Sequence, residues 1–339
     1  MSLPSAAGVL AIAVTMGSLA VVGQEPGAGS AARFPVTIEN CGVSTVYEAP
    51  PERVVTMNQA ATELMLQLGL QDRLVGTAYL DDAIHPVLAA AYEQIPVLTR
   101  QYPSPDELFA VRPDFVFAAY NSAFSADGVG AREDLGVPSY LAPSGCPQRG
   151  REPVSMETLY REIRDIGRIF GVPPRAEQLI ASYQADIRAT QAQVGTIANP
   201  PTVFWYDAGS PPSVGACCGM PNEILRLVGA RNVFMDKPGS WTGVSWTEVI
   251  ARNPHVIVLV DSPWSPASEK ARWLRREPAY AAIEAVSHQR FVTIDFSSTT
   301  PGIRTVAAVR RLAEALYPER FGALDLARGA PIPGIRHAR

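Results

Sequence analysis

The chain is predicted to be an α/β protein of two similar lobes with mainly parallel sheets, joined by a long interdomain α-helix. Three observations carry the prediction. A pair of motifs occurs twice in the same order, short apolar strands alternate with helical segments in each half, and a long helical stretch without an internal glycine separates the halves. In the first motif, Thr62 to Gly69 and Asn222 to Gly229 both read as short apolar helices that open on an acidic turn, with Glu63 and Glu223 in matching places, and stop at Gly. In the second, Ser104 to Pro113 and Ser245 to Pro254 share Ser, Glu, Ala and Pro in a gapless overlay, and each runs into an apolar stretch. The two pairs are spaced differently along the chain, so the copies share a plan and differ in loop length.

The elements follow in order. Residues 1–32 read as a signal peptide and leader: Met1 to Gly23 is an apolar run without charge, and a segment rich in Gly, Ala, Pro and Ser continues to Ala32. Cleavage after Gly23 or after Ala32 is one reading; the lack of Lys or Arg before the apolar run leaves an uncleaved anchor as the other. No Cys follows the run closely, which predicts an exported, soluble mature form without a lipoprotein anchor. The N-terminal lobe is placed at 33–152. It begins with a hairpin, Val36 to Ile38 and Val43 to Tyr47, about Asn40-Cys41-Gly42. Strands follow at Arg53 to Met57, Leu74 to Ala78, Phe115 to Ala119 and Val137 to Leu141, with the two motif helices between them; such alternation argues for a parallel sheet covered on both faces.

Linking helices are placed at 153–195. Met156, Leu159, Ile163, Ile166 and Ile169 recur at spacings of three and four behind Ser155, and Gly171 ends the run. Pro173-Pro174 starts a second helix to about Val194, with Leu179, Ile180, Tyr183 and Ile187 on one face, a stiff strut between the lobes. The C-terminal lobe, 196–318, repeats the pattern: strand Thr202 to Tyr206, the Glu223 and Glu248 helices, strand Val256 to Val260, a helix about Glu269 to Arg276, strand Phe291 to Phe296, and a helix from about Arg304 to Leu316. A Pro/Gly-rich tail is placed at 319–339.

Composition narrows the function classes. The 339 residues are 47% hydrophobic with a formal net charge of −4, and Lys237 and Lys270 are the two lysines, so a nucleic-acid binder with a dense basic patch is excluded. The four cysteines fit an oxidising compartment and lack metal-site spacing. A Cys41–Cys146 bridge would close a loop of roughly 105 residues and contribute about 4–5 kcal/mol in the chain-entropy model. Cys217-Cys218 reads either as a vicinal disulfide or as two small apolar side chains in a loop. His85, His255, His288 and His337 form no cluster, so no bound metal or other cofactor is expected. No phosphate loop, nucleophile elbow or paired His/Cys or His/Ser spacing is present, which speaks against an enzyme.

The order and spacing of several short motifs resemble the class III periplasmic substrate-binding proteins of ABC importers, the family that carries ferric siderophores, haem and cobalamin. These motifs are Asn40-Cys41-Gly42, Ala49-Pro50-Pro51-Glu52-Arg53-Val54-Val55, Ala60-Ala61-Thr62-Glu63, Arg112-Pro113-Asp114-Phe115-Val116, Gly229-Ala230-Arg231-Asn232-Val233-Phe234 and Asn253-Pro254-His255-Val256-Ile257; the resemblance spans about Phe34 to Tyr317. It implies two Rossmann-like lobes, a periplasmic location, no catalysis, and a monomer that hands its cargo to an ABC permease dimer. It also implies that one glutamate per lobe, Glu63 and Glu223, docks on permease arginines. The cargo is expected between the lobes beyond the carboxyl ends of the strands. Loops there offer Asn58, Tyr79, Tyr120, Trp205, Tyr206, Trp241, Trp264 and Arg304: aromatics for a bulky chelate and an arginine for an anionic one. A ferric siderophore is the favoured cargo, with haem, cobalamin or another bulky metabolite as alternatives. A cleft enzyme and a permease-independent sensor or scavenger are the rivals from other classes. The helical linker predicts small lobe movement on binding.

Overall fold

The computed structural model describes residues 33–126, 128–150 and 152–321; the expected signal segment and the tail beyond 321 lie outside the described residues. A hairpin of β1 (Val36–Asn40) and β2 (Val43–Tyr47) opens the fold. Its two turn residues, Cys41 at φ 52° and Gly42 at φ 81°, have the doubly left-handed backbone that matches the twist of a tight hairpin.

The first sheet holds β3 (Val54–Met57), β4 (Leu74–Ala78), β5 (Val97–Thr99), β6 (Phe115–Ala118) and β7 (Ser139–Leu141). All pairings are parallel, in the order β5-β4-β3-β6-β7. The central β3 and β6 are buried at every residue, as strands covered on both faces must be. Their crossovers carry α1 (Gln59–Gln67), α2 (Ala89–Tyr92) and α3 (Pro105–Ala110). Helix α1 starts three residues before the expected Thr62. Glu63 therefore lies in its second turn, and the first turn carries no acid.

Two helices then bridge the lobes: α4 (Met156–Ile169), behind a Ser155/Thr158 capping box, and α5 (Pro173–Val194), with Pro at its first position. At 22 residues, α5 is about 33 Å long. The second sheet contains β8 (Thr202–Ala208), β9 (Ser213–Gly215), β10 (Arg231–Asn232), β11 (Trp241–Gly243), β12 (Val256–Asp261) and β13 (Phe291–Asp295). Its order is β11-β9-β8-β12-β13 with β10 also beside β8; β8, β10, β12 and β13 run parallel, while β9 and β11 are antiparallel additions. Helices α6 (Met220–Leu227), α7 (Trp246–Arg252), α8 (Ala267–Arg276), α9 (Glu284–Ser287) and α10 (Thr305–Leu316) complete the lobe. The unequal spacing of the repeats arises between the two motifs of each lobe: β4, α2 and β5 lie between α1 and α3, whereas only the short β10 and β11 lie between α6 and α7.

One apolar core runs through both lobes and the bridging helices, joining Phe115, Ile163, Tyr183, Trp205 and Val309. Separate clusters cover the outer face of each sheet. Cys41 and Cys146 are bonded, tying the hairpin to the end of the first lobe, and Cys217 and Cys218 form a vicinal disulfide. The tail expected from 319 begins instead with a last turn, α11 (Pro318–Phe321), whose Arg320 guanidinium donates to the Val194 carbonyl at the end of α5. Among the described residues no helix is long and apolar enough to cross a membrane.

Candidate functional site

The carboxyl ends of the parallel strands of both sheets meet at one seam. The N-terminal lobe supplies Asn58 after β3, the loop 79–85 after β4 and Tyr120 after β6; the C-terminal lobe supplies the loops after β12 and β13. The contacts are direct. Asp82 Oδ2 accepts hydrogen bonds from Ser297 N at 2.8 Å and Ser297 Oγ at 2.6 Å. Gly302 faces Ala60 so closely that an added Cβ would lie 3.3 Å from the alanine methyl.

Aromatic pairs stand on both sides of this seam. Tyr79, held at φ 54°, stacks on Tyr102 with centroids 4.5 Å apart. Across the seam Trp264, 57% exposed, meets Phe296 edge to face at 5.0 Å. Tyr120 donates its hydroxyl to Asp81 Oδ2 at 3.0 Å. Burial pushes the Asp81 carboxyl up to about 6, the Tyr120 hydrogen bond opposes that shift, and the neighbouring Asp82 charge adds to it. Asp81, Tyr102 and Phe296 escaped the sequence reading; Asp81-Asp82 directly after a buried strand was the signal available for the first. Beside Trp264 a recess of about 270 Å³ opens among Tyr206, Ser210, Glu269, Lys270 and Trp273. The Lys270 ammonium is turned inward, donating to the carbonyls of Asp207, Val260 and Ser265, and burial lowers its pKa to about 8.

Several expected site residues have other work. Asn58 is fully buried at φ 75°; its Oδ1 accepts from the backbone N–H of Ala119 and Tyr120, and its Nδ2 donates to the Tyr102 hydroxyl, so it pins the loops and does not reach the cleft. Trp205 lies within β8, not after it. Strand alternation sends Val203 and Trp205 into the shared core, where Trp205 is fully buried, and sends Phe204 and Tyr206 to the opposite face. Tyr206 is 3% exposed, stacked on Phe204, and reaches only the wall of the recess. Trp241 is half-buried in edge strand β11 and packs against the core.

Arg304 and Glu63, read for two different external partners, satisfy each other. Arg304 Nε donates to both Glu63 carboxylate oxygens, at 3.1 and 3.0 Å, and its Nη2 bonds Glu63 and the Ala83 carbonyl, with Glu63 1% and Arg304 8% exposed. Arg304 is thus committed before any anionic cargo arrives. Glu63 cannot meet a permease arginine without surrendering a buried partner. Glu223 is 6% exposed; it accepts from Met156 N at the start of α4 and pairs with Arg226 one turn on at 2.6 Å. Neither glutamate projects from the molecule. The exposed acids of the repeated motifs are Asp106 and Glu107 at the start of α3 and the partly exposed Glu248 at the start of α7, where Ser104 and Ser245 form matching capping boxes.

Comparison with known proteins bears on the same region. The periplasmic binding protein family profile matches residues 54–297. An uncharacterized ABC transporter substrate-binding lipoprotein of Bacillus subtilis is 26% identical over 294 residues, covering 85% of this chain and 87% of its own. The vitamin B12-binding protein of Vibrio parahaemolyticus is 24% identical over 236 residues, 69% of this chain and 80% of its own. Among solved structures, a periplasmic binding protein from Veillonella parvula superposes with a TM-score of 0.75 at 32% identity, covering 84% of this chain and 97% of that one. An ABC-type Fe3+-hydroxamate transport system structure from Saccharomonospora viridis gives 0.70 at 25% identity, with 86% and 100% covered.

Proposed function

The chain belongs to the periplasmic binding protein family, as a class III substrate-binding component of an ABC transporter, and from that premise we propose that its cargo is a ferric siderophore held between the lobes. The observation that carries this reading is that each lobe bears an aromatic pair, Tyr79/Tyr102 in one and Trp264/Phe296 in the other, on loops that leave the carboxyl ends of its strands. Such walls suit a bulky chelate whose metal is already wrapped, because shape and apolar contact do the recognising. The two cations named at this face, Arg304 and Lys270, are already committed to Glu63 and to backbone carbonyls. A chelate of low negative charge therefore fits better than a strongly anionic one, in line with the hydroxamate system that the chain is similar to. Cobalamin is the second reading, favoured by the similarity to vitamin B12-binding proteins.

The protein acts as an exported monomer, and its two disulfides support an oxidising compartment. Presentation to the permease falls to exposed acids at equivalent places in the two lobes, Asp106 and Glu107 on α3 and Glu248 on α7. The test is a titration of tryptophan fluorescence with ferric hydroxamates, ferric catecholates, haem and cobalamin, with iron-free siderophores as controls. Saturable quenching by a ferric chelate and not by its iron-free form is expected. Response to cobalamin alone would transfer the proposal to the second reading, and silence across the panel would overturn both. Charge reversal at Asp106 and Glu248 should abolish uptake while binding persists; uptake at the normal rate would refute that docking surface.

A further inference from the structure

Five residues at the seam form one continuous network, through side chains and the Asp82 backbone N–H, that crosses between the lobes twice. Ser297 of the C-terminal lobe donates N–H and hydroxyl to Asp82 of the N-terminal lobe. Asp82 N donates to Gln59 Oε1 at 2.8 Å, and Gln59 Nε2 donates to Glu63 Oε1 at 2.9 Å and to the Ala83 carbonyl at 3.0 Å. Glu63 Oε1 also accepts from His85 N at 2.9 Å, and the chain of contacts closes on Arg304, which returns to the C-terminal lobe and bonds Ala83 as well. The loop 82–85 is thus gripped from both sides. Its near neighbours are the cleft wall itself: Asp81, bonded to Tyr120, and Tyr79, stacked on Tyr102.

We infer that Gln59, Asp82, Glu63, Arg304 and Ser297 are an interlobe clasp whose role is to set the separation of the two aromatic walls, making them positioning residues for cargo retention. The inference rests on the cleft reading above for its cargo arm only. Widening the cleft here separates Glu63 from Arg304, and two buried charges then lose their partner at once. The clasp therefore has a closed state and a broken state, with no gradual path between them. Because Tyr79 and Asp81 lie one to three residues from Asp82, breaking it relaxes the wall that faces the cargo. It also explains why two residues of the repeated plan differ in surroundings: Glu63 is spent on the seam, whereas Glu223 accepts from Met156 N at the start of the bridging helix α4.

Stability and positioning separate experimentally, because apolar side chains of similar volume can replace a buried ion pair with little or no loss of stability. The full chain is compared with Asp82→Ala and with the double variant Glu63→Leu/Arg304→Met by amide hydrogen exchange, thermal unfolding and dissociation of the ferric chelate identified by titration. The expected result is an unfolding midpoint near that of the parent for the double variant. With it should come about tenfold faster exchange in peptides covering 79–88 and 294–304 and about tenfold faster chelate release. Glu63→Gln should restore part of the protection, since the amide oxygen still accepts from Arg304. Unchanged exchange in both peptides, in either variant, would overturn the clasp. So would faster exchange with chelate release left at the parental rate. If the parent binds no chelate and no cobalamin, the cargo reading fails, and the exchange measurement still decides whether the seam is held by these residues.

Discussion

Glu162 should make the protein lose stability as the pH rises from 5 to 8. It sits in the middle of α4, 1% exposed, and its Oε2 has no hydrogen-bond partner. Burial, with a smaller push from the Asp165 charge, raises its carboxyl from the ordinary 4.5 to about 8. The folded chain therefore holds a proton on Glu162 at neutral pH that the unfolded chain has released. A raised folded pKa gives stability that is fully present below the unfolded value and lost as pH rises through the folded one. At pH 5 the unfolded state has already lost most of its proton while the folded state keeps it, and by pH 8 the folded state has lost about half. At 1.36 kcal/mol per unit this costs about 3 kcal/mol over the interval. Glu162→Gln keeps the shape of the side chain and removes the titration. Urea unfolding at pH 5, 6, 7 and 8 should show the parent losing about 3 kcal/mol more than the variant across the series, with a thermal midpoint at pH 8 about 4–5 °C higher in the variant. Parallel stability curves for the two proteins would refute the argument, since Glu162 would then be ionised in the fold or reached by water.

Three more outcomes follow from the same geometry. Trp264→Ala should weaken binding of the ferric chelate by about tenfold without moving the unfolding midpoint, because the indole is exposed and packs edge-on against Phe296 alone among the aromatics; equal affinities would remove the C-terminal wall from the site. Trp205→Phe should do the reverse, costing about 2 kcal/mol of stability through a core cavity while calorimetric affinity for the chelate stays put, and a loss of affinity at constant stability would restore Trp205 to the cleft. Asp81, with its carboxyl raised to about 6, contributes stability below the ordinary 3.8 that is lost as pH rises through 6. Asp81→Asn should flatten the part of the stability profile between pH 4 and 7, and a variant that follows the parental profile would show that the carboxyl is not buried as described.

What could be read from the chain alone was what depends on near neighbours. The spacing of Met156, Leu159, Ile163 and Ile166 specifies the buried face of α4, and Pro173 and Gly195 bracket α5. Ser104 with Glu107, and Ser245 with Glu248, mark helix starts because the two side chains of a capping box lie three residues apart. The start of α1 escaped notice although Asn58 is a residue type favoured before a helix; its side chain serves Ala119, Tyr120 and Tyr102 in place of a cap. The short strands β9, β10 and β11 escaped it too, being two or three residues each and paired only through the sheet they join.

The repeat, the α/β class, the bridging helices and the family resemblance were determined by the sequence itself, because backbone geometry converts residue spacing of two to four into a face or a cap. The tertiary structure alone decided which of those faces met. It turned Trp205 into the core and Tyr206 to the other side of β8, a choice set by which helices cover which face of the sheet. It also joined Glu63 to Arg304 across 241 residues, converting an expected docking group and an expected ligand group into one buried interlobe pair. Spacing along the chain carries no record of such a partner. A buried charge takes the opposite charge that packing brings within reach, since leaving it unpaired costs more than any external contact could return.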